Sequence, residues 1–258
     1  MKHVKYERPE SVANNHKIET KINIPLYFCA NFFLVMAHIL GQLAIFNIIP
    51  CFRGYDLFSV FFNLDGEANI PTLYTILEWF LCVIFLVLIA FFERNTQSSR
   101  YRYWLGLAII FSFLLIDEFI SFHEISDHIL ALFNIKIVLF PTNAWVLIYL
   151  VVLAPISLVY LRFMIHLPKK TKYLFVFSFI IFMLGAAGIE ALELRHVEIY
   201  GQDKYYYLYF VIVEETLEMM GLLIFIYALA SYLANELGIS QIKILPEKIS
   251  HESTDKSA

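Results

Sequence analysis

The sequence predicts an all-α bundle of six transmembrane helices with both termini in the cytoplasm, and three observations predict it. Apolar residues make up 60% of the 258 positions and the mean hydropathy is +0.68, well above a typical soluble domain. Six stretches, 24–49, 72–92, 103–120, 144–165, 173–194 and 206–233, suffice to cross a hydrocarbon core, which takes about 20 helical residues. Basic residues also alternate from loop to loop. Fifteen of the nineteen Lys and Arg fall in the leader, the second and fourth loops and the tail; only Arg53, Lys136, Arg195 and Lys204 lie in the others. Basic loops stay on the cytoplasmic side, which orients the bundle.

In chain order, residues 1–23 form a polar, charged leader. The first apolar stretch is too long for a signal-peptide core and reads as a retained span; it carries His38 and Gln42 one turn apart in its outer half. Span two places Glu78 in its outer half. Span three ends in "LLIDEFISFHEISDHIL" (114–130), an apolar run that turns abruptly ionisable with Asp117, Glu118, His123, Glu124, Asp127 and His128. Span four holds none of the acids. Span five contains "GAAG" (185–188), small residues that admit a neighbouring backbone, followed by "GIEALELRH" with Glu190, Glu193 and His196 at successive i+3 steps. Span six holds Glu214 and Glu218 as i,i+4 neighbours, with Glu215 flanking them. The membrane domain thus runs over 24–237, and 238–258 is a polar tail expected to be disordered. Trp104, Trp145 and "YYYLY" (205–209) fall near span ends, where aromatic rings favour the interface.

The intramembrane acids are not scattered. With alternating orientation, all of them lie in the outer halves of the spans, which predicts one polar cavity open to the outer side. Ten acids contribute: Glu78, Asp117, Glu118, Glu124, Asp127, Glu190, Glu193, Glu214, Glu215 and Glu218. The nearby bases are His38, His123, His128, His196 and Arg195. An ionised acid at mid-membrane costs roughly 2.5–3.5 kcal/mol even on lenient scales, and like charges add to that. Bound cations or protons must balance the charge. If the helix of span three continued through His128, Asp117, Glu124 and His128 would share a stripe about 40° wide, with Glu118 and His123 pointing elsewhere.

Two spacings suit a metal. Glu193-x2-His196 has the spacing used in carboxylate-bridged di-metal bundles, although such sites use two of these pairs and only one is present. Glu124-x3-His128 has the spacing of helical zinc sites, without the second His of the His-Glu-x-x-His motif. Many carboxylates with few imidazoles favour Mn, Fe or Ca, with Zn admissible. Cys29, Cys51 and Cys82 are isolated, which excludes a disulfide framework and a thiolate metal motif. The net charge of −4 does not suggest a nucleic-acid partner.

"DEFISFHE" (117–124), "EETLEMMG" (214–221) and the loop "LDGEANIPT" (64–72) together resemble a group of uncharacterised bacterial multi-span membrane proteins. The resemblance implies six spans in a bacterial inner membrane and implies no activity. Ceramidase-like membrane hydrolases use a His-x3-His pair that this chain lacks. The expected protein therefore has a periplasm-facing carboxylate/His site. Asp117, Glu124, His128, Glu193, His196, Glu214 and Glu218 would hold a divalent ion (Fe, Mn, Zn or Ca), and Glu118 or Glu215 would serve as acid or base. Its partners would be membrane lipids and a lipid or other hydrophobic substrate. Two other readings remain open: a proton- or cation-coupled transporter using Asp117, Glu214 and Glu218, and an assembly scaffold whose acids form a structural network.

Overall fold

A computed structural model describes residues 24–121, 144–201 and 203–238. Among these the regular elements are all helical: α1 Ile24–Ile45, α2 Tyr55–Phe61, α3 Ile70–Asn95, α4 Tyr101–Ile120, α5 Ala144–Ile165, α6 Lys169–Met183, a π-helical segment Leu184–Ile189, α7 Glu190–Tyr200 and α8 Lys204–Asn235. Five helical stretches among the described residues are long and apolar enough to cross a membrane: α1, α3, α4, α6 through α7, and α8. The leader, residues 122–143 and the tail from Ile239 lie outside the described residues.

α8 is the central post. It packs on α1, α3, α6, the π segment and α7, while α4 lies along α3. Its lower half is sealed by the main core, where Trp104, Leu86, Ile89, Ile226 and Leu229 are completely buried. The outer helix faces are greasy, with Phe32, Leu73, Ile109, Phe119 and Phe179 exposed. Apolar surface on that scale is untenable in water and natural in lipid. α5 docks on α4 through aromatic contacts. The Tyr160 hydroxyl donates to the Tyr103 carbonyl at 2.9 Å, and Phe163 stacks on Tyr103 with ring centroids 5.0 Å apart.

Local chemistry sets the ends. Asn69 caps α3 by accepting from Thr72 N at 3.1 Å, with Pro71 in the first turn where its missing N–H costs nothing. Asp203 caps α8 by accepting from Tyr205 N at 2.9 Å and Tyr206 N at 3.3 Å. α4 closes at Ile120, and Ser121 turns left-handed at φ 50°. The single helix expected to carry Asp117 through His128 is therefore not formed: the left-handed residue ends it. Span five is also not one regular helix. "LGAAGI" (184–189) forms the π segment, for which its small residues leave room.

Glycine permits the closest approaches to α8. A Cβ on Gly185 would stand 2.8 Å from the Glu214 carbonyl oxygen, and one on Gly221 would stand 2.9 Å from the Phe182 backbone nitrogen. The first contact presses the π segment against the turn of α8 that carries the acids.

Candidate functional site

Three acids on one face of α8 anchor the site. Glu214 lies in the field of Glu190, Glu193 and Asp65. Glu215 lies in that of Glu118, Glu214, Asp65 and Glu67. Glu218 lies in that of Glu215, Glu118, Glu214 and Glu190. Eight carboxyl groups from α4, α7, α8 and the α2–α3 loop thus crowd one partly exposed region beside α8, the chamber, within electrostatic reach of its three acids. Among the described residues, no Lys, Arg or His forms an ion pair with Glu214, Glu215 or Glu218.

The π segment explains how α7 reaches the chamber. A π turn inserts one residue into the α repeat and so rotates everything after it by about 100°. Here it precedes Glu190, the first residue of α7. Glu190 and Glu193 both lie within electrostatic reach of Glu214, while His196 turns away into rings of Tyr200, Tyr206 and Phe210, with centroids 5.0, 4.6 and 5.8 Å distant. The i+3 series therefore splits: its carboxylates enter the chamber and its imidazole joins an aromatic nest.

The α2–α3 loop supplies the rim, which sequence reasoning missed. Its backbone is pinned from inside: Leu64 N donates to His38 Nδ1 at 3.0 Å, Asn69 Nδ2 to the Asn63 carbonyl at 2.6 Å, and Thr72 Oγ1 to the Gly66 carbonyl at 2.8 Å. The Leu64 side chain is buried beside Leu34, Val211 and Met219. So held, the loop brings Asp65 to α8, where the Tyr207 hydroxyl donates to its carboxylate. Enclosure by protein pushes the Asp65 carboxyl above its usual range, the Tyr207 hydrogen bond pulls it back, and Glu67 raises it further. Its outer edge stays exposed, as befits a rim.

The other anticipated residues divide. Asp117 is buried at the end of α4 beside Tyr149 of α5; its neighbour Glu118 is the residue that meets Glu215 and Glu218. Glu78 stands apart, fully buried, with its carboxylate accepting from Tyr74 Oη at 3.0 Å. His38, accepting at Nδ1, is a neutral structural pin for the loop. Glu124, Asp127, His123 and His128 lie outside the described residues. Among the described residues no three Asp, Glu, His or Cys side chains converge as a ready-made metal site. The signal that would have found the rim was "LDGEANIPT": two acids around a Gly, followed by an Asn cap and Pro, spell a built loop rather than a slack connection.

The chain belongs to the family described as Domain of unknown function (DUF8692), whose model matches residues 27–233, from the first turn of α1 to the last turns of α8. No curated protein and no solved structure matches it.

Proposed function

We propose that this chain is a six-span protein of the bacterial inner membrane whose periplasm-facing carboxylate chamber binds a divalent cation. What supports this is the concentration of Glu118, Glu190, Glu193, Glu214, Glu215 and Glu218, with Asp65 and Glu67 at the rim, around a space in which no described cation pairs with the three α8 acids. Ionised carboxylates at this depth are costly, each by about 2.5–3.5 kcal/mol, and they repel one another. A cation offsets both costs. With His196 in its aromatic nest, the described donors are oxygens alone, which favours hard ions that retain water, Ca or Mn ahead of Zn. An ion that keeps part of its water shell needs no three protein ligands in direct contact, so a loose carboxylate ring is sufficient. Glu118, which faces Glu215, would be the acid or base toward a lipid entering from the membrane.

Elemental analysis tests this. Protein purified without chelator after Mn or Ca supplementation should retain the ion in near-integral ratio, and Glu214→Gln with Glu218→Gln should lose most of it, because an amide is a poor ligand. Metal-free wild-type protein under those conditions would sink the metal reading. A reporter fused after Leu237 should be active only in its cytoplasmic form; periplasmic activity would overturn six spans.

The second reading, a proton- or cation-coupled transporter, draws on the π segment. A span interrupted beside an intramembrane acid cluster is a place where a helix can re-register. Against a continuous path stands the apolar stretch below the chamber, where Leu222, Leu223, Ile226 and Leu229 are buried. Proton flux in liposomes distinguishes this reading from static cation binding.

A further inference from the structure

The turn between α3 and α4 carries a second site of opposite charge. Residues 94–103 contain three Arg and neither Asp nor Glu. Arg100 points inward, its guanidinium 3.4 Å from Glu93. Arg94 and Arg102 do not: among the described residues neither meets a carboxylate, and both act electrostatically on the Tyr101 hydroxyl, Arg102 the more strongly. Arg102 is held in place by that residue, donating from Nε to Tyr101 Oη at 3.3 Å. Beside them lies an open surface depression of about 490 Å³ lined by Arg94, Gln97, Ser98, Ser99, Arg102 and the rings of Tyr101 and Tyr103.

The turn is built rather than slack. Ser98 N donates to the Glu93 carbonyl at 3.0 Å, Gln97 N to the Arg94 carbonyl at 3.0 Å, and Thr96 Oγ1 to the Glu93 carbonyl at 2.9 Å. Gln97 adopts a left-handed φ of 56°, which only a defined turn imposes on a non-glycine residue. The backbone of Glu93, whose side chain is buried, therefore anchors the whole cradle. The turn joins two helices apolar enough to cross a membrane, which places it at headgroup depth.

We propose that this cradle binds the phosphate of an anionic phospholipid headgroup. The donor set fits that chemistry: two guanidinium forks match phosphate oxygens in bidentate fashion, and Ser and Gln side chains reach the remaining oxygens. The same chemistry would accept a soluble phosphate, but the position of the depression beside two lipid-facing helices favours the lipid. Basic groups at a bilayer surface also attract anionic lipid diffusely, at about 1 kcal/mol per residue, so the test must separate a site from a field.

The full chain is reconstituted in nanodiscs mixing phosphatidylcholine and phosphatidylglycerol, and lipid retained on release is identified by native mass spectrometry. Wild-type protein should retain phosphatidylglycerol above its share of the bilayer. Arg94→Gln with Arg102→Gln should cut that enrichment by about tenfold or more. Lys169→Gln with Lys170→Gln removes the same charge at the same end of α8, where Lys170 Nζ meets the Tyr227 hydroxyl at 3.4 Å; its loss measures the diffuse field alone, and the Arg94 and Arg102 variant should lose about tenfold more than it does. Unfolding midpoints of both variants confirm intact protein, since all four side chains are on the surface. Equal losses in the two variants, or no enrichment in wild type, would reduce the cradle to diffuse surface charge and overturn the proposal. Displacement by excess inorganic phosphate would overturn the lipid assignment.

Discussion

α8 meets carboxylates in its first half and near its C-terminus and treats them in opposite ways. Near its C-terminus a single acid, Glu93, is fully buried, accepts from the Tyr232 hydroxyl and lies 3.4 Å from Arg100. Some 25 Å earlier along the same helix, at about 1.5 Å per residue, Glu214, Glu215 and Glu218 face five more acids and no described base. One end pairs one acid with one donor and one cation, both at Glu93 Oε1, while its Oε2 has no hydrogen bond among the described residues. The other has no described cation against its three acids, and a fold that only needed stability would not keep it so. A buried acid beside its own cation reads as structure; the three α8 acids, which no described cation pairs, are what the proposed cation site rests on.

The sharpest way to break this contrast is to supply the missing charge from outside. A divalent ion that binds the folded chamber should stabilise the protein by about 2.7 kcal/mol at a hundred times its Kd. Glu218→Gln should remove most of that response and Glu93→Gln should leave it intact. Thermal unfolding in detergent with Mn or Ca, against a chelator control, reads all three. A response that survives Glu218→Gln but vanishes with Glu93→Gln would assign the two ends the wrong way round.

The same deletion at the two ends should then have unequal cost. Tyr232→Phe strips a fully buried carboxylate of its hydroxyl donor and should destabilise by about 1.5–3 kcal/mol, the range for hydrogen bonds to charged groups. Tyr207→Phe removes the chemically equivalent bond to Asp65 at the exposed rim, where water replaces it, and should cost about 0.5 kcal/mol or less. Denaturant unfolding of both variants compares them directly. Equal costs would mean that the rim is as closed as the core.

A third difference concerns the backbone. Gly185 holds the π segment against the Glu214 carbonyl, so Gly185→Ala must push α6 and α7 off α8, with an overpacking cost of about 1–3 kcal/mol. Because Glu190 and Glu193 ride on that segment, cation affinity should fall together with stability. A loss of stability with unchanged cation affinity would mean that the π segment does not position the chamber.

How much of this was legible in the sequence differs between the ends as well. The helices were readable from apolar length, and the acids of spans five and six from their depth, because burying charge in lipid is conspicuous in any window. The rim was not, since Asp65 and Glu67 sit in a loop, and only hydrogen bonds from His38, Asn69 and Thr72 give that loop a fixed shape. Helical-wheel reasoning put Asp117 on the shared face and Glu118 off it, on the premise of a helix running to His128. Ser121 ends that helix, and Glu118 is the residue that meets α8. The π segment likewise separates His196 from its two glutamates, an effect that spacing arithmetic cannot anticipate. The Glu93 end was not read at all, because Glu93 falls just beyond the apolar stretch 72–92.

The smallest expected effect lies at the rim and has a definite sign. The Asp65 carboxyl titrates above its usual range, because enclosure and Glu67 together outweigh the Tyr207 hydrogen bond. The folded rim therefore binds a proton more readily than the unfolded chain, so its contribution to stability is fully present below the unfolded value of about 3.9 and is lost as pH rises through the raised folded value. Deprotonation adds a negative charge facing Glu193, Glu214 and Glu215 and should loosen the loop before it affects the helices. Hydrogen exchange reads this locally. After correction for the intrinsic pH dependence of exchange, amides 63–69 should lose protection as pH rises through the raised Asp65 value, and Asp65→Asn should flatten the change. Saturating divalent ion should flatten it too, because a bound cation stabilises the ionised rim against its neighbours. Protection that rises with pH would mean that the Tyr207 bond, not the surrounding acids, governs Asp65, and the rim would then resemble the Glu93 end: a carboxylate already paired by the protein.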